Sequence, residues 1–144
     1  MRILSGRQVV LDIASDLPML RLDAVLLEQV IFNLVDNAAK YATGNSDIRI
    51  RCWREENLVR ISVIDEGAGI PAGDVERIFD KFYRVHATDR KTAGTGLGLA
   101  VCRGFVEAMG GTIVARNRTD RTGAVFTVSF PVSVDEPAQA PEPA

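Results

Sequence analysis

Five of the twelve glycines stand in two tight clusters, Asp65-Glu66-Gly67-Ala68-Gly69 and Gly94-Thr95-Gly96-Leu97-Gly98. Lacking a Cβ, glycine lets backbone amides approach an anion such as phosphate closely. A third segment, Asn33-Leu-Val-Asp-Asn37-Ala-Ala-Lys40-Tyr41, adds two amides, an ammonium and an aromatic ring. Wound as a helix from Glu28 at 0°, Lys40 falls at about 120°, Asn33 at about 140°, Asn37 at about 180° and Tyr41 at about 220°. The apolar set Leu27, Ile31, Leu34 and Ala38 centres near about 270°, so the polar groups share a stripe at the border of the buried face. Asparagine oxygens are neutral ligands for Mg²⁺, lysine is a point charge for phosphate, and the ring can stack on a base. Any one of these residues reads equally well as a helix edge meeting solvent. Two asparagines in mid-helix are unfavourable by propensity, however, which weighs against that reading for the set. Asp65 closes an alternating apolar run, where its carboxylate can accept a hydrogen bond from an exocyclic amine and so choose adenine over guanine. Alone, it is also an ordinary turn aspartate before glycines. The second glycine cluster opens a helical segment, where free amides and the helix dipole favour an anion. Together the three segments mark a nucleotide-binding candidate.

The elements that must carry these residues follow from periodicity. Residues 8–13 have the length and mixed pattern of a strand, Leu17-Pro18 is a turn, and 19–22 is at best a short second strand. Asp23 is a helix N-cap, and Leu27, Val30, Ile31, Leu34, Val35 and Ala38 repeat at helical spacing to about Tyr41. Strands over 47–54 and 58–65 follow, joined by a hairpin turn at 55–57. Each alternates apolar with polar residues, which predicts a sheet covered on one face only. A short helical segment is expected around 74–79. Residues 85–93 have loop composition. A second long helix spans 97–109 and stops at Gly110-Gly111. Strands over 112–117 and 123–131 close the domain as a hairpin. The inventory predicts an α/β, two-layer α+β domain over 1–134, with a mixed sheet and helices on one face. A Pro/Ala-rich tail over 135–144 has the composition of disorder.

Bulk properties narrow the class. A chain of 144 residues makes one domain that buries roughly two-thirds of its unfolded surface. A net charge of −2 argues against a general nucleic-acid binder. No apolar run approaches the roughly 18–20 residues of a membrane span, and no signal peptide opens the chain. Cys52 and Cys102 lack metal-ligand spacing and read as reduced packing thiols of a cytoplasmic protein.

The order Asn33…Asn37-Ala-Ala-Lys40-Tyr41, Asp65-Glu-Gly-Ala-Gly69, Phe79-Asp-Lys-Phe82-Tyr-Arg84 and Gly94-Thr-Gly-Leu-Gly-Leu99 resembles the N, G1, F and G2 boxes of sensor histidine kinases. The resemblance covers about residues 8–131. Four boxes in order are far more specific than any one. Within that family the F box and the run from Gly94 to Gly111 are most similar to the potassium-responsive Kdp sensor kinases.

The resemblance implies a Bergerat-type ATP-binding fold with a mainly antiparallel sheet. It implies that Asn37, helped by Asn33, holds Mg²⁺, that Lys40 contacts the phosphates and that Tyr41 packs near the base. Asp65 would bind the adenine amine, with Gly67, Gly69 and Ile70 shaping the space. Phe79 and Phe82 would anchor a lid, and Arg84 would reach the γ-phosphate. Gly94, Thr95, Gly96, Leu97, Gly98 and Leu99 would wrap the phosphates, and Thr127 matches a threonine that many relatives place beneath adenine. Asn33, Lys40 and Arg84 would then be the catalytic set, with ATP and Mg²⁺ as ligand and cofactor.

Two departures refine this expectation. The chain's one histidine, His86, lies in the polar loop without the context of a phosphoacceptor. The acceptor would therefore sit on a separate domain of the same protein, dimeric in the full-length kinase, and a response regulator would take the phosphate onward. Asn33 stands where hydrolytic relatives and anti-sigma serine kinases carry a glutamate base, and an asparagine cannot act as a base. The expected protein is thus the cytoplasmic catalytic domain of an inner-membrane sensor in potassium or osmotic signalling, with no nucleic-acid or direct membrane contact. An anti-sigma-type serine kinase and a non-catalytic, adenine-nucleotide-responsive interaction module are the competing readings.

Overall fold

A computed structural model describes residues 8–18, 20, 22–41, 46–80 and 98–132. In chain order these form β1 (Val9–Ile13), α1 (Ala24–Tyr41), β2 (Ile48–Glu55), β3 (Leu58–Ile64), a 3₁₀ turn (Ala72–Asp74), α2 (Gly98–Ala108), β4 (Thr112–Asn117) and β5 (Ala124–Pro131). Capping sets both helix ends that matter. The Asp23 carboxylate Oδ1 accepts from the N–H groups of Val25 and Leu26 at 3.0 and 3.1 Å, so Asp23 is the N-cap of α1. At the end of α2, Gly110 takes φ +83°, the N–H of Gly111 reaches back to the Val106 carbonyl, and that of Gly110 reaches the Glu107 carbonyl. This is a Schellman stop.

The five strands form one sheet in the order β1-β2-β3-β5-β4. β1 runs parallel to β2 and the other neighbours are antiparallel, as the two-layer expectation required. Register divides the sheet into two faces, because directly paired residues point the same way. Val63 lies between Ile50 and Phe126, and Ile61 between Cys52 and Val128. These residues join Val30 and Leu34 of α1 and Cys102 and Val106 of α2 in one core, so both helices cover this face. The alternate positions form the other face: Ser62 lies between Arg51 and Thr127, and Thr127 is opposite Val114. There Ser62 and Thr127 share a hydroxyl hydrogen bond of 2.8 Å, and the Arg51 guanidinium stacks 4.6 Å from the Trp53 ring centre.

Two local expectations change. Leu20 and Leu22 belong to no strand and pack from the side against the core instead. Residues 74–79 form a run of turns rather than a regular helix. The N–H groups of Asp74, Arg77 and Asp80 reach back three residues to Pro71, Asp74 and Arg77, and that of Ile78 reaches back four to Asp74, so tight 3₁₀-like turns flank a single α-type turn. What anchors this segment is burial of Ile78 and Phe79, the latter edge-to-face with Phe126 at 6.2 Å. Among the described residues no helix is long and apolar enough to cross a membrane.

Candidate functional site

Beyond the end of β3 the ladder continues in altered form. The Asp65 N–H donates to the Ala124 carbonyl at 3.1 Å, as a strand residue would. The Ala124 N–H donates to the Asp65 carboxylate, at Oδ1, also at 3.1 Å. The same Oδ1 accepts from the Gly67 N–H at 2.8 Å, and the residue is only 4% exposed. A buried carboxylate held by two backbone donors has little freedom to turn, because each amide would otherwise be left unsatisfied.

The hairpin between β4 and β5 supports this residue from behind. The Arg118 guanidinium Nη1 donates to the Asp65 carbonyl at 3.1 Å, while its Nε and Nη2 hold Asp120 at 3.0 and 2.9 Å. That pairing lowers the Asp120 carboxyl below its ordinary value. Gly123 has φ +142°, and a Cβ there would stand 2.2 Å from the Asp65 carbonyl oxygen. Only glycine fits at that approach. Of the residues expected after Asp65, Gly67 and Ile70 are buried and Gly69 takes φ +86°.

On α1, Asn33 and Asn37 are half-buried, one turn apart. Their flank turns towards α2. Cys102 of α2 is fully buried, and its thiol donates to the Val30 carbonyl of α1 at 3.7 Å. Burial pushes the Cys102 thiol up to about 11, with the nearby Asn33 amide offsetting part of that rise. Gly98, the first residue of α2, is one turn before Cys102, about 6 Å of helix rise away. A Cβ on Gly98 would meet nothing within 4 Å among the described residues. Leu99 packs partly buried against the core. Lys40, in the last turn of α1, pairs with Asp36 at 3.2 Å, both side chains well exposed. Tyr41 is the final residue of α1.

Thr127 leaves the group. It is in mid-β5, on the face opposite the helices and bonded to Ser62, because strand alternation sends it away from the layer that carries Asn33, Asn37 and Gly98. The β5 residue that does meet Asp65 is Ala124, three positions earlier. Phe82, Arg84, His86 and the run Gly94, Thr95, Gly96 and Leu97 lie outside the described residues, as do residues 135–144. Among the described residues no three His, Cys, Asp or Glu side chains converge as metal ligands. The donor set on offer to a cation is the pair of neutral amides on α1, which suits Mg²⁺ that keeps its waters and phosphate oxygens.

The family model described as histidine kinase-, DNA gyrase B-, and HSP90-like ATPase matches residues 22–134. The chain belongs to that ATPase family. Its similar proteins within the family are sensor histidine kinases. It is 47% identical over 114 residues to the sensor protein KdpD of Mycobacterium tuberculosis, which is 79% of this chain and 13% of that protein. Against KdpD of Escherichia coli K12 the identity is 40% over 121 residues, 84% of this chain and 13% of that one. Against the sensor histidine kinase WalK of Bacillus subtilis it is 42% over 118 residues, 80% of this chain and 19% of that one. The chain thus spans less than a fifth of these sensor proteins.

Solved ATPase-family structures agree on the architecture. The catalytic domain of histidine kinase ThkA superposes with a TM-score of 0.72 at 32% identity, covering 86% of this chain and 78% of that one. Full-length ShkA in complex with AMPPNP superposes at 0.74 with 30% identity, covering 88% of this chain and 26% of that one. The chain therefore has the fold of a histidine kinase catalytic domain. Ala124, Asn117, Arg118, Gly123 and Cys102 around the family's ATP-site boxes were not singled out from the sequence as site residues. Each acts through a long-range backbone or side-chain contact, and only Gly123 carried a local hint, as a glycine entering a strand.

Proposed function

We propose that this chain is the ATP-binding catalytic part of a sensor histidine kinase, which presents Mg·ATP so that its γ-phosphoryl reaches a histidine on another domain. The observation that carries this is the Asp65 carboxylate, buried and fixed by the Gly67 and Ala124 amides, at the end of the sheet face covered by α1, which carries the half-buried Asn33 and Asn37. A fixed acceptor at that position favours a purine with a 6-amino donor, adenine, over one with a 6-oxo group, guanine. Lys40 meets phosphate by exchanging its exposed Asp36 partner for a stronger anion, which costs little because such surface pairs contribute about 0–1 kcal/mol. The N-terminus of α2, opened by Gly98, offers backbone amides and the positive end of its dipole to the same charge. Asn37 and Asn33 would hold Mg²⁺, whose contribution is to neutralise charge on the transferred group. Asn33 supplies no base, and neither does Cys102, whose buried thiol holds its proton. The site therefore positions and stabilises charge without deprotonating a water or hydroxyl, which favours an imidazole acceptor over hydrolysis or serine phosphorylation.

Expected partners are the phosphoacceptor domain of the same dimeric protein and a response regulator. The likeness to KdpD sensor proteins supports potassium or osmotic signalling as the setting, with this domain on the cytoplasmic side of a membrane-anchored protein. The test combines this chain, a purified phosphoacceptor domain of a KdpD relative and γ-labelled ATP. Acid-labile, base-stable phosphohistidine is the expected product. Acid-stable phosphoserine, or nucleotide binding without any transfer, would reject the kinase assignment.

A further inference from the structure

The loop that follows Asp65 is gripped at both ends by two consecutive residues. Arg118 holds its start through the Asp65 carbonyl. Asn117, the last residue of β4, holds its far end: its Oδ1 accepts from the Ile70 N–H at 2.7 Å and its Nδ2 donates to the Ile70 carbonyl at 2.9 Å. A side-chain amide that both accepts from and donates to one residue's backbone acts as a neighbouring strand would, and it leaves that residue no rotation about its own axis. The fit is tight from the other side as well. A Cβ on Gly69 would stand 2.7 Å from the Asn117 Oδ1, so the glycine at φ +86° and the asparagine are matched. Ile70 is buried in the core, which fixes the third direction. The loop 65–70, with Gly67 and Gly69 in its course, is thus closed into a rigid ring that contains the base-reading carboxylate.

We propose that Asn117 is a positioning residue for nucleotide selection. It holds the 65–70 loop in the shape that lets Asp65 read an exocyclic amine, without touching nucleotide itself. This rests on the ATP-binding reading above. Its consequence is specific to the base: without Asn117 the loop loses its anchor at Ile70, while the α1 flank and the α2 N-terminus that meet the phosphates keep theirs.

The experiment measures binding of ATP, GTP and inorganic tripolyphosphate, each with Mg²⁺, to the chain and to Asn117→Ala, with thermal unfolding followed in parallel. Asn117→Ala is expected to lower ATP affinity about tenfold, the worth of one or two hydrogen bonds. The ATP-to-GTP preference should fall by a similar factor, while tripolyphosphate binding and the cooperative unfolding transition persist. Asn117→Gln keeps both the acceptor and the donor for Ile70 but sets them one methylene further out. Its loss of preference is expected to be in the same direction and smaller, and it decides the matter should the alanine variant not fold. Equal losses for all three ligands, or an unchanged ATP-to-GTP ratio in a folded variant, would overturn the proposal. If the unsubstituted chain bound tripolyphosphate but showed no preference for ATP over GTP, the adenine-reading role of Asp65 would fail first, and this inference with it.

Discussion

The loop after β3 and the polar flank of α1 are held in opposite ways. Around Asp65 each restraint is short and internal: two amides on one carboxylate oxygen, Arg118 on the carbonyl behind it, Asn117 on Ile70, and Gly123 pressed against the chain. Along α1 the side chains keep looser company. Lys40 leans on an exposed carboxylate, and Asn33 and Asn37 are only half-buried. The contrast fits the two ends of a nucleoside triphosphate. Telling adenine from guanine depends on the direction of a hydrogen bond, so the reader must be rigid before the base arrives. Phosphates and their cation are bound by charge, which tolerates a side chain that changes partners.

Breaking the rigid end at its tightest point should do most damage. Gly123→Ala places a methyl against the Asp65 carbonyl and forces an L residue into φ +142°, so a destabilisation on the order of 3 kcal/mol or more is expected in thermal or urea unfolding. A melting curve within a degree or two of the parent's would remove Gly123 from this account.

The boundary between α1 and α2 should respond to pH. The Cys102 thiol goes from 9.0 to about 11 on burial, so the folded state holds its proton more tightly than the unfolded state does. That contribution is complete below pH 9 and is lost as pH rises through about 11. Over that window stability should fall by on the order of 2–3 kcal/mol, at about 1.4 kcal/mol for each pH unit crossed. A Cys102→Ala variant should lack this slope, and an identical slope in both proteins would assign the alkaline loss to other groups.

Asp65→Asn keeps the shape of the side chain and removes its charge. ATP affinity should drop tenfold or more, about 1.4 kcal/mol, with the loss of a charge-assisted hydrogen bond. Calorimetric titration giving the parent's affinity would exclude Asp65 from the pocket. The smallest change in stability belongs to the loose end. Lys40→Met should move unfolding by less than about 0.5 kcal/mol, yet weaken ATP binding several-fold and flatten its dependence on salt. If stability fell more than binding did, Lys40 would be a structural residue and the contrast between the two regions would narrow.

Much of this was legible in one dimension. The N-cap at Asp23, the stop at Gly110-Gly111, the two helices and the strand hairpins all follow from local chemistry, because capping and period are properties of neighbours in sequence. The boxes around Asn33, Asn37, Asp65 and Gly98 were visible for the same reason. The segment 74–79 was less so: its polar residues allow either a short helix or successive turns, and burial of Ile78 and Phe79 decides between them.

What the sequence determined by itself is which residue types gather and in what order: amides on a helix edge, a carboxylate at a strand end, glycines around both. What only the tertiary structure decided is which of them face one another. Thr127 has a suitable chemistry, but the pairing of β5 with β3 turns it to the far face and puts Ala124 against Asp65 in its place. Asn117 looks like a strand-end residue until the fold lays it alongside Ile70, 47 positions away. Facing depends on register across distant strands. Register is set by how the whole apolar face packs beneath the helices, and no single segment contains that information.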